Sequence, residues 1–202
     1  MHRKVILVIG PSGTGKTRVM HRPFGYAILV TNGSSDLYVA EGIDLEGSTA
    51  QVQSVDVVID GQTVRIIDTP GLDSDEGGKV KGDLIRLFRE LYKGQHEIVG
   101  IVYMHDISQN RVGKSVVESF EWLFEKCGKA AMRNVVIATN MWWTADDPGR
   151  IAEGGGRERE LRWGNPCYKP ALDQGASLVQ HNNTAESALR ILRQLMGKEP
   201  SS

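Results

Sequence analysis

Eight consecutive residues near the start of the chain, Gly10-Pro11-Ser12-Gly13-Thr14-Gly15-Lys16-Thr17, have the spacing G-x-x-x-x-G-K-[ST]. Each position has a chemical reason. Glycines let the backbone wrap so that several N–H groups converge on one phosphate chain, and a Cβ at Gly13 or Gly15 would obstruct that approach. Lys16 supplies a cation for the β- and γ-phosphates, and the Thr17 hydroxyl is a hard oxygen ligand for Mg²⁺. A Gly-rich turn without a ligand would need neither the lysine nor the hydroxyl. The pattern predicts a nucleotide-phosphate site.

A second tetrapeptide, Asp68-Thr69-Pro70-Gly71, complements the first. An Asp at the carboxyl end of a strand opposite such a loop can hold Mg²⁺ directly or through water. Gly71 can bring its N–H against a γ-phosphate because no side chain stands in the way. Between the two motifs, Thr49 in Gly47-Ser48-Thr49-Ala50 is placed to close on Mg²⁺ and the γ-phosphate, with Ser48 as a substitute, unless this is a plain polar loop. No Gln lies near Gly71 to orient an attacking water.

Elements must bring these groups together. Val5 to Ile9 reads as a buried strand feeding the first motif. The helix expected after Thr17 is interrupted by Pro23 and Gly25, so the segment from Arg18 to Ala27 is either a short kinked helix or an insertion. Val52 to Val58 and Thr63 to Ile67 flank Asp60-Gly61, a strong hairpin signal, and the second strand delivers Asp68. Leu72 to Gly82 reads as a mobile acidic loop, and Asp83 to Lys93 as an amphipathic helix. Ile98 to Met104 is a buried strand ending at His105-Asp106, Val112 to Cys127 a helix, and Val135 to Ala138 a strand ending at Asn140-Met141-Trp142-Trp143. Thr144 to Pro166, with Gly154-Gly155-Gly156 and the charges from Arg157 to Arg162, reads as the least regular stretch, its charges a solvated face. Ala176 to Gln180 is a last strand, followed by Asn182-Asn183 and a helix capped by Thr184.

Composition sets outer bounds. With 202 residues, 40% hydrophobic, 24% charged and net charge −1, the chain has enough apolar material for one ample core. No basic excess points to nucleic acid or an anionic membrane. No stretch approaches the ~18 apolar residues of a membrane span, and the early strand leaves no room for a signal peptide. Cys127 and Cys167 lack a C-x-x-C partner pattern and read as reduced thiols, so a cytoplasmic location is expected.

With both motifs and the terminal Asn pair in order, the chain resembles the AIG1/GIMAP-type branch of P-loop GTPases, relatives of septins and chloroplast import-receptor GTPases. It resembles more closely still fungal proteins described as G domain-containing, through Gly100 to Ser108 (GIVYMHDIS), Asn134 to Trp142 (NVVIATNMW) and Lys169 to Leu192. The resemblance covers most of the chain outside Arg18 to Ala27. It implies an α/β, Ras-like P-loop NTPase fold: a mostly parallel sheet with one antiparallel edge hairpin and helices on both faces. Residues 1–197 would form a single G domain and 198–202 a frayed tail. It further implies slow Mg²⁺-dependent hydrolysis of GTP to GDP. Lys16 and Thr49 would act in catalysis, Thr17, Asp68 and Thr49 would hold the metal, and Asn182 and Asn183 would lie beside the base. In dimerising relatives a residue at the His105 position approaches the partner's nucleotide, so His105 and a homodimer across the nucleotide face are also implied.

One departure bears on the base. Guanine is normally read by N-K-x-D, whose carboxylate accepts two hydrogen bonds from the ring edge; here Asn140 is kept but Trp143 stands where Asp belongs. Losing that acceptor removes a few kcal/mol of guanine preference. Trp142 or Trp143 either stacks on a purine, which does not read its edge, or is an ordinary core or interface aromatic, and ATP/ADP is the alternative ligand. Two further readings stand beside the GTPase. One is a nucleotide kinase, with Gly156 to Arg162 as lid; the other is a binding module without turnover.

Overall fold

The computed structural model of the chain describes residues 3–16, 53–74, 78–143 and 147–197. Six strands form one sheet: β1 (Lys4–Ile9), β2 (Gln53–Ile59), β3 (Gln62–Asp68), β4 (Glu97–Asp106), β5 (Val135–Asn140) and β6 (Ser177–Gln180). Their order is β2-β3-β1-β4-β5-β6, and only the β2–β3 pair is antiparallel. Among the described residues five α-helices accompany them: α1 (Lys79–Lys93), α2 (Lys114–Cys127), α3 (Pro148–Trp163), α4 (Lys169–Asp173) and α5 (Ala185–Met196). This is the α/β P-loop NTPase architecture expected from the sequence.

Alternation along β1 explains the layering. A central parallel strand is covered on both faces and so is apolar at every position. Val5, Leu7 and Ile9 face a core built with Leu84, Leu87 and Leu91 of α1, Phe120 and Leu123 of α2, and Leu161 of α3. Ile6 and Val8 face the opposite way, onto Ala188, Ile191, Leu192 and Leu195 of α5. The edge pair is polar where it meets water: Asp56 and Arg65 sit opposite each other, with Arg65 Nε 2.8 Å from Asp56 Oδ1. Its turn has φ +49° at Asp60 and +79° at Gly61, the doubly left-handed geometry of a type I′ hairpin. Arg193 of α5 grips the Asp60 carboxylate with two nitrogens, fastening the hairpin tip to the helix below.

Two regions differ from the sequence expectation. The acidic loop is shorter: a 3₁₀ turn at Leu72–Ser74 follows Gly71, and α1 begins at Lys79 rather than Asp83. The stretch read as irregular contains a sixteen-residue helix, α3. Asp147 caps it by accepting from the Arg150 N–H at 3.1 Å, and Pro148 starts its first turn, where a missing N–H costs nothing. Gly154 is needed inside this helix for packing. A Cβ there would lie 2.9 Å from Trp142 and 3.1 Å from Trp143.

Candidate functional site

The strand order places a crevice at one point of the sheet edge. β1 has β3 on one side and β4 on the other, and in open α/β sheets ligands bind where the order reverses, outside the carboxyl ends of the strands. The G-x-x-x-x-G-K loop leaves β1 there. Register brings the other motifs to the same edge: Val8 lies opposite Asp68, Ile9 opposite Tyr103, and Asp106 opposite Asn140.

The loop from Gly10 to Lys16 owes its shape to glycines. Gly13 and Gly15 have φ of +75° and +85°, and a Cβ on Gly15 would fall 2.7 Å from Asn140 Nδ2. That close approach lets the Asn140 amide donate to the Thr14 carbonyl at 3.0 Å, tying β5 to the loop. Asn140 is fully buried, and its Oδ1 has no hydrogen-bond partner among the described residues. Thr14 Oγ1 donates to the Pro11 carbonyl at 2.8 Å. The Lys16 ammonium is 7% exposed and donates to the carbonyls of Gly10 (2.9 Å) and Pro11 (2.6 Å). Burial pulls its pKa below the usual lysine value, against the opposing pull of the Asp68 and Asp73 carboxylates.

Asp68 ends β3, 6% exposed and within electrostatic reach of Lys16. The chain leaving it is held to β1 by Thr69, whose N–H (3.2 Å) and hydroxyl (2.9 Å) both donate to the Val8 carbonyl. Gly71 then presses on the loop: a Cβ there would stand 2.7 Å from the Ser12 nitrogen. The structure therefore gathers Gly10, Pro11, Ser12, Gly13, Thr14, Gly15, Lys16, Asp68, Gly71 and Asn140 into one constellation. Thr17 and Thr49 lie outside the described residues.

The base-side candidates are arranged differently. The Trp142 indole N–H donates to the Thr139 carbonyl (3.0 Å) and hydroxyl (3.2 Å), and its ring lies against Gly154. Trp143 sits under the Arg157 guanidinium, 5.2 Å from the ring centroid, while Arg157 also donates to the carbonyls of Ile107 and Ser108. Both indoles thus fasten β5 to α3. Asn182 and Asn183 are exposed, with Asn183 at φ +59°, and Asn182 Oδ1 accepts from the Thr184 hydroxyl at 2.7 Å. Thr184 also accepts from the Ser187 N–H at 3.2 Å as the cap of α5. Thr184→Ala should lower stability by about 1 kcal/mol, read from the urea midpoint.

His105 is only 5% exposed. Its Nδ1 pairs with the Tyr168 hydroxyl at 2.8 Å, and its ring stands edge-on to Tyr168 within an aromatic cluster with Tyr103 and Phe120. Its side chain is held within the core by these contacts. Burial lowers its pKa to about 4, opposed by Asp106. Three residues that sequence reasoning did not single out also matter here. Asp73 accepts a hydrogen bond from the Ser12 N–H. Tyr168 seats His105. His181, 1% exposed, pairs through Nδ1 with Ser187 Oγ at 2.8 Å, and its backbone N–H donates to the Thr139 carbonyl. Burial, with Arg190 nearby, lowers its pKa to about 4. Only the first had a local signal, an acidic residue two positions beyond Gly71.

No family model and no curated protein matches the chain. Solved structures share its fold. Toc33 from Arabidopsis thaliana, in complex with Mg²⁺ and GMPPNP, aligns with a TM-score of 0.60 at 18% identity over 99% of this chain and 87% of that one. The G domain of the T. maritima iron transporter FeoB aligns at 0.54 and 18% identity, over 96% and 99%. Nucleolar GTP-binding protein 1 of Plasmodium falciparum aligns at 0.52 and 16% identity, over 96% and 87%. Among the described residues, no helix is long and apolar enough to cross a membrane.

Proposed function

We propose that this chain is a Mg²⁺-dependent nucleoside triphosphate hydrolase of the switch-GTPase type, with GTP as its nucleotide. The observation that carries the reading is the convergence of the Gly10 to Lys16 loop, Asp68 and Gly71 at the switch point of the sheet. A buried lysine beside the Asp68 carboxylate and a glycine-lined backbone cradle suit a phosphate chain with its metal. The hard oxygens of Asp68 and, from the sequence, Thr17 and Thr49 fit Mg²⁺, which when bound neutralises charge developing on the transferred phosphoryl group.

This chain's own residues would do the rest. Backbone N–H groups of the loop hold the phosphates, and Lys16 swings from the carbonyls of Gly10 and Pro11 onto the β- and γ-oxygens. Gly71 presents its N–H to the terminal phosphate, and loss of that phosphate releases the loop that follows. Asn140 holds the phosphate loop to β5 through the Thr14 carbonyl. Asn182 and Asn183 border the base, and Toc33, whose structure contains Mg²⁺ and GMPPNP, offers a parallel for the ligand.

Nucleotide binding and turnover with Mg²⁺, GTP beside ATP, on purified protein test the reading. Preference for GTP supports it. Equal use of ATP would mean that, with Trp143 in the place of the usual Asp, the scaffold serves as a general NTPase. Absence of binding to either nucleotide removes the assignment.

A further inference from the structure

The contact between Asp73 and Ser12 crosses from one motif to the other. Asp73 lies two residues beyond Gly71, in the 3₁₀ turn Leu72–Ser74, and its Oδ1 accepts the Ser12 N–H of the phosphate loop. The turn is pressed close around it: a Cβ on Gly71 would sit 2.7 Å from the Ser12 nitrogen and 2.9 Å from Asp73 Oδ1, and the Leu72 N–H points at the Gly10 carbonyl at 3.4 Å. The same carboxylate acts on the Lys16 ammonium, alongside Asp68.

Resting on the nucleotide reading above, we propose that Asp73 is an internal competitor for the terminal phosphate, its carboxylate occupying a loop N–H and a share of the lysine's field that a triphosphate must take over. One N–H serves one strong acceptor at a time, so an anion bound at Ser12 and a phosphate oxygen directed there exclude each other. Two anions held near one lysine also repel. A diphosphate brings no terminal group to this end of the loop, so Asp73 barely affects it. The carboxylate therefore sets the ratio of triphosphate to diphosphate affinity. Leaving Ser12 is also the motion that would carry the 3₁₀ turn outward when the third phosphate arrives.

The experiment compares wild-type, Asp73→Ala and Asp73→Asn proteins, each in full length with Mg²⁺. Calorimetry gives affinities for GMPPNP, AMPPNP, GDP and ADP, and the Ser12 amide proton is followed by NMR in nucleotide-free protein. Asp73→Ala should raise triphosphate affinity about tenfold with diphosphate affinity nearly unchanged, the scale of losing one charge-assisted competitor. Asp73→Asn should fall between. The Ser12 amide proton should move upfield in Asp73→Ala. Triphosphate affinity that is unchanged or lower, or a Ser12 resonance indifferent to Asp73, overturns the competitor role while nucleotide binding stands. If no variant binds any nucleotide, the nucleotide reading and this inference fall together.

Discussion

Lys16→Ala should reduce triphosphate affinity at least about a hundredfold while leaving the protein folded, because a charge-assisted contact in a water-poor cradle is worth roughly 3 kcal/mol. The two effects separate for a structural reason. Lys16 is buried and donates to two neutral carbonyls, and desolvation pulls its pKa down by more than the Asp68 and Asp73 carboxylates raise it, so the protein gives its ammonium no net stabilisation. Removing it relieves a buried charge, and the denaturant midpoint should hold or rise. Lys16→Arg should not rescue binding, since a planar guanidinium does not reproduce a compact ammonium at the end of a flexible stem. Binding by calorimetry and unfolding by urea, on the same preparations, check both halves. Unchanged affinity in Lys16→Ala would sink the phosphate-site assignment.

Acid should destabilise the fold steeply, chiefly through two histidines. His105 and His181 are buried, and burial lowers each pKa to about 4 from an ordinary 6.5. The unfolded chain binds these protons first, so the stability they confer is complete above about pH 6.5 and is lost as pH falls toward 4. By pH 4 the loss would reach about 2–3 kcal/mol for each, before carboxylates with their own partners begin to protonate. The variant His105→Asn/His181→Asn keeps an amide near each Nδ1 without a titrating ring. Its unfolding free energy should vary much less between pH 7 and pH 4.5. An acid limb as steep as the wild type's would show that other groups carry it.

Legibility in the sequence followed locality. The phosphate loop and Asp68-Thr69-Pro70-Gly71 are contiguous strings whose residue types are dictated by one ligand chemistry, so they were readable without a fold. The hairpin was readable because Asp60-Gly61 alone determines the turn, and the parallel strands because double burial makes them continuously apolar. Helix α3 was missed because Gly154-Gly155-Gly156 outweighed the capping pair Asp147-Pro148 that announces its start. The reason for Gly154 lies in two indoles outside that helix, at positions 142 and 143. The seat of His105 is equally hidden from the string: its hydroxyl partner, Tyr168, comes 63 residues later and on another element. Asp73 was read as one charge of a polar loop because nothing in the string shows that its carboxylate reaches Ser12.

The place of β1 in the sheet has a consequence for how the molecule is made. All five residues from Val5 to Ile9 are fully buried, yet the neighbours that bury them are far along the chain, with Lys4 opposite Val64 on one side and Glu97 on the other. At ribosomal rates of about 5–20 residues per second, the roughly 90 residues separating β1 from β4 take about 5–20 s to appear. Until β4 is made, at least one edge of the most apolar strand lacks its final partner. Nascent chains of this protein therefore expose a sticky β-forming segment early, and holding it apart is a task for the translation machinery and its attendant chaperones.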